Sequence, residues 1–146
     1  MKKLIVLTCA LCLLATSAYS ANLGLRAGGT IDPDQFHVGA HIDLGKVLPP
    51  LRLVPNLEVG FGDNMTHWAF NGDLIYDFKN SPFGVGGELG LNIADWDGSG
   101  SDTHLGFSLL GDYNLAFTNG NSLLLEIKFG VLDAPDFKAT VGYTFF

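Results

Sequence analysis

Cysteine and basic residues are both scarce in this sequence of 146 residues. The only two cysteines, Cys9 and Cys12, lie in the first 20 residues, so the rest of the chain can form no disulfide, thiol nucleophile or cysteine metal site. Residues 21–146 hold six Lys and Arg against 15 Asp and Glu, a net charge of −9. Nucleic-acid binding needs clustered cations that contact phosphates, and this composition argues against it.

The first 20 residues have the pattern of a signal peptide. Lys2 and Lys3 form a positive start, residues 4–15 are apolar, and Ala18-Tyr19-Ser20 fits the small-x-small cleavage rule. The apolar stretch is shorter than the roughly 20 residues of a helical membrane span. The sequence therefore predicts a cleaved signal peptide at residues 1–20 and one mature domain at residues 21–146.

The mature chain contains neither a long apolar run nor a sustained helical period. Apolar and polar residues alternate instead, and clusters of Asp, Asn, Gly and Pro divide the chain into eight strands. We expect these strands at about residues 22–29, 36–45, 51–62, 67–78, 83–94, 104–117, 122–132 and 137–146. Pro55 lacks a backbone N–H, which places it at the start of the third strand or at a bulge.

The alternation gives every strand one bulky apolar face and one small or polar face, because successive side chains point to opposite sides. Leu109 lies on the apolar face of residues 104–117 and Ser108 on the polar face. The same phase assigns Leu44 to the apolar face of its strand. An eight-stranded lumen is only wide enough for side chains to fill it, so the bulky face is predicted to point outward.

Eight strands of about 9–11 residues suit a barrel that crosses a membrane. The predicted fold is an all-β, eight-stranded, antiparallel up-and-down transmembrane β-barrel with short turns. The alternative is a soluble periplasmic barrel of the lipocalin kind with the apolar face around a ligand. That arrangement would pack dozens of large side chains into a narrow lumen and leave the glycines outside, so the volumes favour the transmembrane barrel.

The polar face predicts a lumen filled by charges of both signs. Because buried charges need partners, these side chains are expected to form a structural salt-bridge plug. The set comprises Arg26, Arg52, Glu58, Asp73, Glu88, Asp112, Glu126, Lys128 and Lys138.

Aromatic residues on the outward face are expected to form two girdles around an aliphatic band, as a bilayer selects. The set comprises Phe36, Phe61, Trp68, Phe70, Tyr76, Phe78, Phe83, Phe107, Tyr113, Phe117, Phe129, Phe137, Tyr143 and Phe145.

The signal peptide, the eight alternating strands, the girdles and the aromatic end Gly142-Tyr143-Thr144-Phe145-Phe146 together resemble the small outer-membrane β-barrels of the OmpA/OmpX type. The resemblance implies a place in the outer membrane of a Gram-negative-type envelope and recognition of the C-terminal aromatic residues by the barrel-assembly machinery. In that family the last Phe is usually in phase with the Tyr, whereas here Tyr143 is in phase with Phe145. Either Phe146 lies one residue beyond the register or the last strand carries a bulge.

An acidic stretch resembles the opening of a calcium-binding loop. Asp95, Asp97 and Ser99 occupy its first, third and fifth positions, Gly100 in the sixth position makes the bend, and Asp102 follows. The glutamate of the twelfth position is missing, since Gly106 stands there. These residues predict either a Ca²⁺ site at the outer rim or a solvated hairpin tip, and the missing glutamate favours the hairpin tip.

The outer connections are strongly acidic, while the opposite turns hold Lys46 and no acid. Such a rim either holds divalent cations that bridge to lipopolysaccharide phosphates or keeps the loops hydrated, and the second interpretation is favoured. The acids are Asp32, Asp34, Asp63, Asp95, Asp97, Asp102, Asp133 and Asp136.

Histidine and serine do not predict a catalytic site. His104 and Ser108 share the lumen face but stand four residues apart, about 13 Å along a strand, too far for a Ser–His hydrogen bond. His37 and His41 have the same spacing and are interpreted as lumen hydrogen-bonding groups. The sequence thus predicts a non-enzymatic outer-membrane barrel with a closed charged lumen, for envelope integrity or surface interaction, or alternatively a narrow pore for small solutes. Lipid and lipopolysaccharide are the expected partners.

Overall fold

The computed structural model of the chain describes residues 21–62 and 64–145. The predicted signal peptide, Asp63 and Phe146 therefore lie outside the described residues. Within residues 21–62 and 64–145, no helix has the length and apolar character to cross a membrane.

Nine strands make up one antiparallel sheet that closes on itself. β2 and β3 follow each other along β4, so together they count as one strand of the barrel. β1 pairs with β2 on one side and with β9 on the other. This pairing closes an eight-stranded barrel and confirms the predicted fold. The strands are β1 Asn22–Ile31, β2 Gln35–Asp43, β3 Lys46–Leu48, β4 Leu51–Gly62, β5 Met65–Asp77, β6 Phe83–Trp96, β7 Gly100–Ala116, β8 Ser122–Leu132 and β9 Phe137–Thr144.

The break between β2 and β3 is a bulge with one extra residue. The ladder with β4 stops at His41, opposite Asn56, and resumes at Lys46, opposite Arg52. Gly45 has a positive φ of 66°, and its N–H donates to Asp43 Oδ1 at 2.8 Å, which stabilises the turn. The extra residue reverses the phase of the side chains, so the outward position predicted for Leu44 is wrong and its side chain is buried.

Pro55 lies opposite this bulge. Leu53 donates its N–H to Gly45 O at 3.2 Å. Pro55 lies two residues further along, so its backbone nitrogen faces the same neighbouring strand, formed by β2 and β3. The missing N–H of Pro55 thus falls where the neighbouring ladder is interrupted. Strand β4 itself begins at Leu51 and pairs with β5 without a break, so the start of this strand at Pro55 was a wrong expectation.

The predicted faces agree with the side-chain exposures, Leu44 excepted. Leu109 is 54% exposed and its neighbour Ser108 is 2% exposed. The outside of the barrel is apolar and its inside is polar, which is the inverse of a water-soluble protein. The end that carries both chain termini is called the lower end below, and the opposite end the upper end.

The aromatic rings of the outer surface meet in pairs near the two ends. At the lower end, Phe83 and Tyr113 have ring centroids 5.0 Å apart, and Tyr143 and Phe145 have centroids 5.2 Å apart. At the upper end, the rings of Phe129 and Phe137 lie 5.4 Å apart. These separations are favourable for aromatic pairs, and assignment of the rings to membrane interfaces stays a prediction.

Two strand ends differ from the expectations. β6 continues to Trp96, and β7 already begins at Gly100. Their connection is therefore residues 97–99 and not 95–103. Gly98 makes this tight turn with a positive φ of 83°. Strand β9 pairs regularly with both neighbours through Thr144, so the bulge suggested for the last strand is wrong for the described residues.

The register predicts that Leu109→Arg destabilises the barrel by roughly 2–4 kcal/mol, because a cation at the bilayer midplane is poorly solvated. Leu115→Arg, the same change near the lower end of β7, should cost only about 0–1 kcal/mol, since it lies near the interface. Urea titration of the barrel folded in lipid vesicles, with the folded fraction read from gel migration, measures both. A harmless Leu109→Arg would mean that the faces are inverted.

Candidate functional site: the charged lumen

The strand pairing places like charges side by side on the lumen wall. Asp73 of β5 is the ladder partner of Glu88 of β6, and Lys128 of β8 is the partner of Lys138 of β9. Like charges directly opposite each other on neighbouring strands repel. The wall is therefore electrostatically unfavourable until partners arrive from the far side of the barrel.

Lys128 supplies the centre of those cross-lumen contacts. Its Nζ lies 2.9 Å from Asp73 Oδ2, 2.5 Å from Glu88 Oε2 and 3.0 Å from Glu126 Oε1. The Lys128 side chain is 1% exposed. One ammonium group thus neutralises carboxylates from three strands at once.

Arg26 and Lys138 connect the remaining carboxylates to this centre. Arg26 bonds Glu126 through Nη2, and its Nε lies 3.2 Å from Glu58 Oε1. Lys138 Nζ lies 2.6 Å from Glu58 Oε2, and 3.5 Å from the carboxylate of Glu88. The upper network, as we call it, joins three cations to four carboxylates: Arg26, Lys128, Lys138, Glu58, Asp73, Glu88 and Glu126.

Neutral side chains extend the upper network. Asn56 Nδ2 donates to Asp73 Oδ2 at 2.9 Å, and Asn71 Nδ2 donates to Asn56 Oδ1 at 2.9 Å. Ser108 Oγ donates to Glu88 Oε1 at 3.4 Å. Ser108 thus satisfies the Glu88 oxygen that the cations leave free, and Asn56 adds a second donor to the Asp73 oxygen that Lys128 contacts, as buried polar groups require.

An apolar layer separates the upper network from a second group of charges. Val54, Ile75 and Leu110 are buried inside the barrel and contact each other. This layer was not predicted, although the alternation of side chains along the strands already places Val54, Ile75 and Leu110 on the lumen side. A lumen that is polar throughout was too simple an expectation.

The lower network lies below this layer and is built around Arg52. The guanidinium lies 3.2 Å from Asp43 Oδ2, 3.1 Å from Asp77 Oδ1 and 2.5 Å from Asp112 Oδ2. Arg52 and Asp112 were predicted lumen charges, and the structure brings them together. One cation serves three carboxylates here, so the lower network carries an excess of negative charge.

Glycines let the charged side chains fill the lumen. A Cβ on Gly90 would lie 2.2 Å from Asn71 Oδ1, and a Cβ on Gly24 would lie 2.3 Å from the His41 ring. Atoms this close overlap, so side chains occupy the room that these glycines leave. His41 also contacts Thr144 Oγ1 at 2.8 Å, and His37 contacts Thr140 Oγ1 at 3.1 Å, in agreement with their interpretation as hydrogen-bonding groups.

Residues 133–136 fold over the upper mouth of the barrel and form what we call the cap. Asn92 on the lumen wall donates to Asp133 O at 3.1 Å. A Cβ on Gly106 would lie 2.6 Å from Asp133 O, and one on Gly130 would lie 2.5 Å from Pro135 O. The cap was not predicted, and the only sign of it in the sequence is the pair of glycines, Gly106 and Gly130, that face it.

The other predicted site residues do not come together. Ser108 belongs to the upper network, whereas His104 is exposed and lines a cavity of about 210 Å³ beside the cap. In the acidic hairpin, Asp95 pairs with Ser101 and Asp102 with Ala94, which puts Asp95 and Asp102 on opposite faces. Within the part of the chain that the structure describes, no group of three or more acidic, His or Cys side chains is placed to hold a metal ion. The geometry gives the calcium hypothesis no support.

The upper network predicts that Lys128→Met destabilises the barrel by about 3–5 kcal/mol, because it leaves buried carboxylates without their cation. Lys46→Met, which removes an exposed lysine, should change the stability by no more than about 0.5 kcal/mol. Denaturant titration in lipid vesicles measures both variants. Equal stabilities of the two would show that the network does not hold the barrel together.

Comparison with solved structures gives the same architecture in small membrane proteins. The crystal structure of neisserial surface protein A (NspA) matches with a TM-score of 0.66 at 16% identity, over 85% of this chain and 94% of that chain. The Yersinia pestis outer membrane protein Ail, determined in a phospholipid bilayer nanodisc, matches with a TM-score of 0.54 at 10% identity, over 86% of this chain and 100% of that chain. No family model and no curated protein matches the sequence. The chain has the closed eight-stranded fold of the small outer-membrane β-barrels.

Proposed function

We propose that this protein is a non-enzymatic integral barrel of the outer membrane, with a closed lumen, that serves envelope integrity or surface interaction. The observation that carries the proposal is the upper network, in which Lys128 reaches across the lumen to Asp73 and Glu88 and also pairs with Glu126 of its own strand. A lumen filled by such contacts offers a rigid body and no open passage. The predicted signal peptide and the shared fold with Ail and NspA support the outer membrane as its location.

Three successive obstructions support closure. From the upper end they are the cap, the upper network and the apolar layer around Ile75. The space between the cap and the upper network, lined by His37, Glu58 and Lys138, measures about 10 Å³. That volume is at the limit for a single water molecule. This small volume also argues against the lipocalin-like alternative, because a barrel of that kind needs an interior large enough for a ligand.

The narrow pore remains the second candidate because both networks carry more carboxylates than cations. Arg52 alone faces Asp43, Asp77 and Asp112. Rearrangement of these side chains would leave a negatively lined path, which suits small cations. Conductance separates this function from the closed barrel.

The β6–β7 hairpin is the feature that suits surface interaction. β7 has 17 residues, more than the about 9–11 that cross a bilayer, so the hairpin extends past the upper end. Its tip carries the exposed Trp96 beside Asp95 and Asp97. We include lipopolysaccharide among the proposed partners, with divalent cations between its phosphates and the acidic rim, and the barrel-assembly machinery as the partner of the C-terminal aromatic residues.

Planar-bilayer recordings test closure. The purified barrel should show no steady conductance, and Gly90→Phe, which adds a ring inside the lumen, should be equally silent. Because a Cβ on Gly90 would crowd Asn71, gel migration of the unheated protein must first verify that this variant folds. Gly72→Phe is the matched control, because a Cβ on Gly72 meets no atom within 4 Å and the position faces outward. Steady conductance that Gly90→Phe abolishes and Gly72→Phe leaves intact would establish the pore and overturn the closed lumen.

Deletion of the gene tests the role in the envelope. Loss of the barrel should increase the entry of a hydrophobic fluorescent dye into intact cells and their sensitivity to detergent. Re-expression of the natural chain should reverse both effects. Unchanged dye entry and detergent sensitivity in the deletion strain would contradict a role in envelope integrity and leave surface interaction as the remaining part of the proposal.

A further inference from the structure

The outer surface of the barrel is not evenly covered by side chains. Near the lower end, strands β6 to β9 form an apolar groove of about 660 Å³. Its floor is formed by Gly111 and Ala139, and its lower wall by the rings of Phe78, Phe83 and Tyr113. A volume of roughly 300–1,000 Å³ is typical of a site for a small molecule.

The strand register explains why the surface is concave here. Val85, Gly111, Ile127 and Ala139 are successive ladder partners and form one row across four strands. Gly111 contributes no side chain to this row and Ala139 only a methyl group. The row below it contains Phe83 and Tyr113, which pair with each other and stand higher than the floor.

We propose that this groove holds one acyl chain of a phospholipid whose headgroup is anionic. Three spacings between four strands give a groove about 14 Å long. Because membrane-barrel strands are tilted by roughly 35–45°, the groove runs obliquely and rises about 8–10 Å along the membrane normal. That rise is less than half of the roughly 30 Å hydrocarbon core, so the groove fits within one leaflet. The groove walls are apolar along this length. Because lipid tails and the groove are equally apolar, selection of the chain rests on van der Waals packing in the concave surface.

Lys79 selects the headgroup. It directly follows Phe78 of the groove wall and begins the turn between β5 and β6 at the lower end. It is exposed and makes no ion pair with the described part of the chain. Its ammonium group is therefore free to contact a lipid phosphate at the interface, where lysine favours anionic lipids.

A second copy of the barrel fits this surface less well. A two-fold dimer brings the same patch of both subunits together, so one groove would face the other and enclose a void. Packing around a void forfeits contacts on both sides. A flexible acyl chain fills the same space, and the inference requires only that the barrel is embedded in a bilayer, whether or not its lumen conducts.

Substitution of Gly111 by Phe is a clean way to fill the groove. A Cβ on Gly111 would have Ile127 Cγ1 as its nearest neighbour at 3.8 Å, an ordinary contact, so the barrel accommodates the larger residue. Gly72→Phe is the matched control, since it adds the same ring to the outer surface away from the groove. Gel migration of the unheated protein verifies that both variants fold.

Native mass spectrometry of barrels released from bilayers of mixed phosphatidylglycerol and phosphatidylethanolamine measures the retained lipid. The natural chain and Gly72→Phe should retain one phosphatidylglycerol, and Gly111→Phe should retain about tenfold less, a loss of ~1.4 kcal/mol. Lys79→Gln should retain lipid but lose the preference for phosphatidylglycerol.

Four results would overturn the inference. Equal retention by Gly111→Phe and the natural chain would show that the groove does not hold the lipid. Equal losses in Gly111→Phe and Gly72→Phe would show that retention is unspecific. Dimers that Gly111→Phe abolishes would assign the groove to a second copy, and an unchanged preference in Lys79→Gln would refute the headgroup contact.

Discussion

Charge neutralisation across the lumen is the constraint on which the rest of this structure depends. The wall puts Asp73 beside Glu88 and Lys128 beside Lys138, and each of these pairs repels. Only a closed sheet brings the lysines to the carboxylates of the opposite wall, at 2.5 to 2.9 Å for Lys128. Closure of the barrel and pairing of its charges are therefore one event, because the open sheet leaves each charged row without its partners.

The surrounding membrane imposes the complementary constraint on the outside. Large apolar side chains such as Leu109 point to lipid, and small residues line the interior so that long charged side chains fit. The alternation of outward and inward side chains holds only within an uninterrupted strand, because the one extra residue of the bulge at Gly45 turns Leu44 inward. Pro55 lies opposite that bulge, where a missing N–H has no ladder partner to leave unsatisfied.

The charges buried in the lumen leave the interacting features at the surface of the barrel. The lumen charges contact one another, which supports a structural role for them. The upper end offers the β6–β7 hairpin with Trp96 at its tip. The lower half offers the groove over Gly111, which exists because one outward position carries no side chain. The hairpin results from the length of β7, and the groove results from the missing side chain at Gly111. Both features suit contact with the envelope.

Alternation and turn chemistry predicted the eight strands of the barrel and the exact bounds of β4 and β8. They also predicted that every charge of the upper network lies in the lumen. Both predictions were possible because a period of two is a local property of the chain. The pairing of Arg52 with Asp112, 60 residues away, could not be predicted, since it depends on the shear of the closed sheet. The cap at residues 133–136 escaped prediction for the same reason. Its contact with Asn92 arises between segments that only barrel closure brings together. Local pattern decides which way a side chain points, and closure decides what it meets.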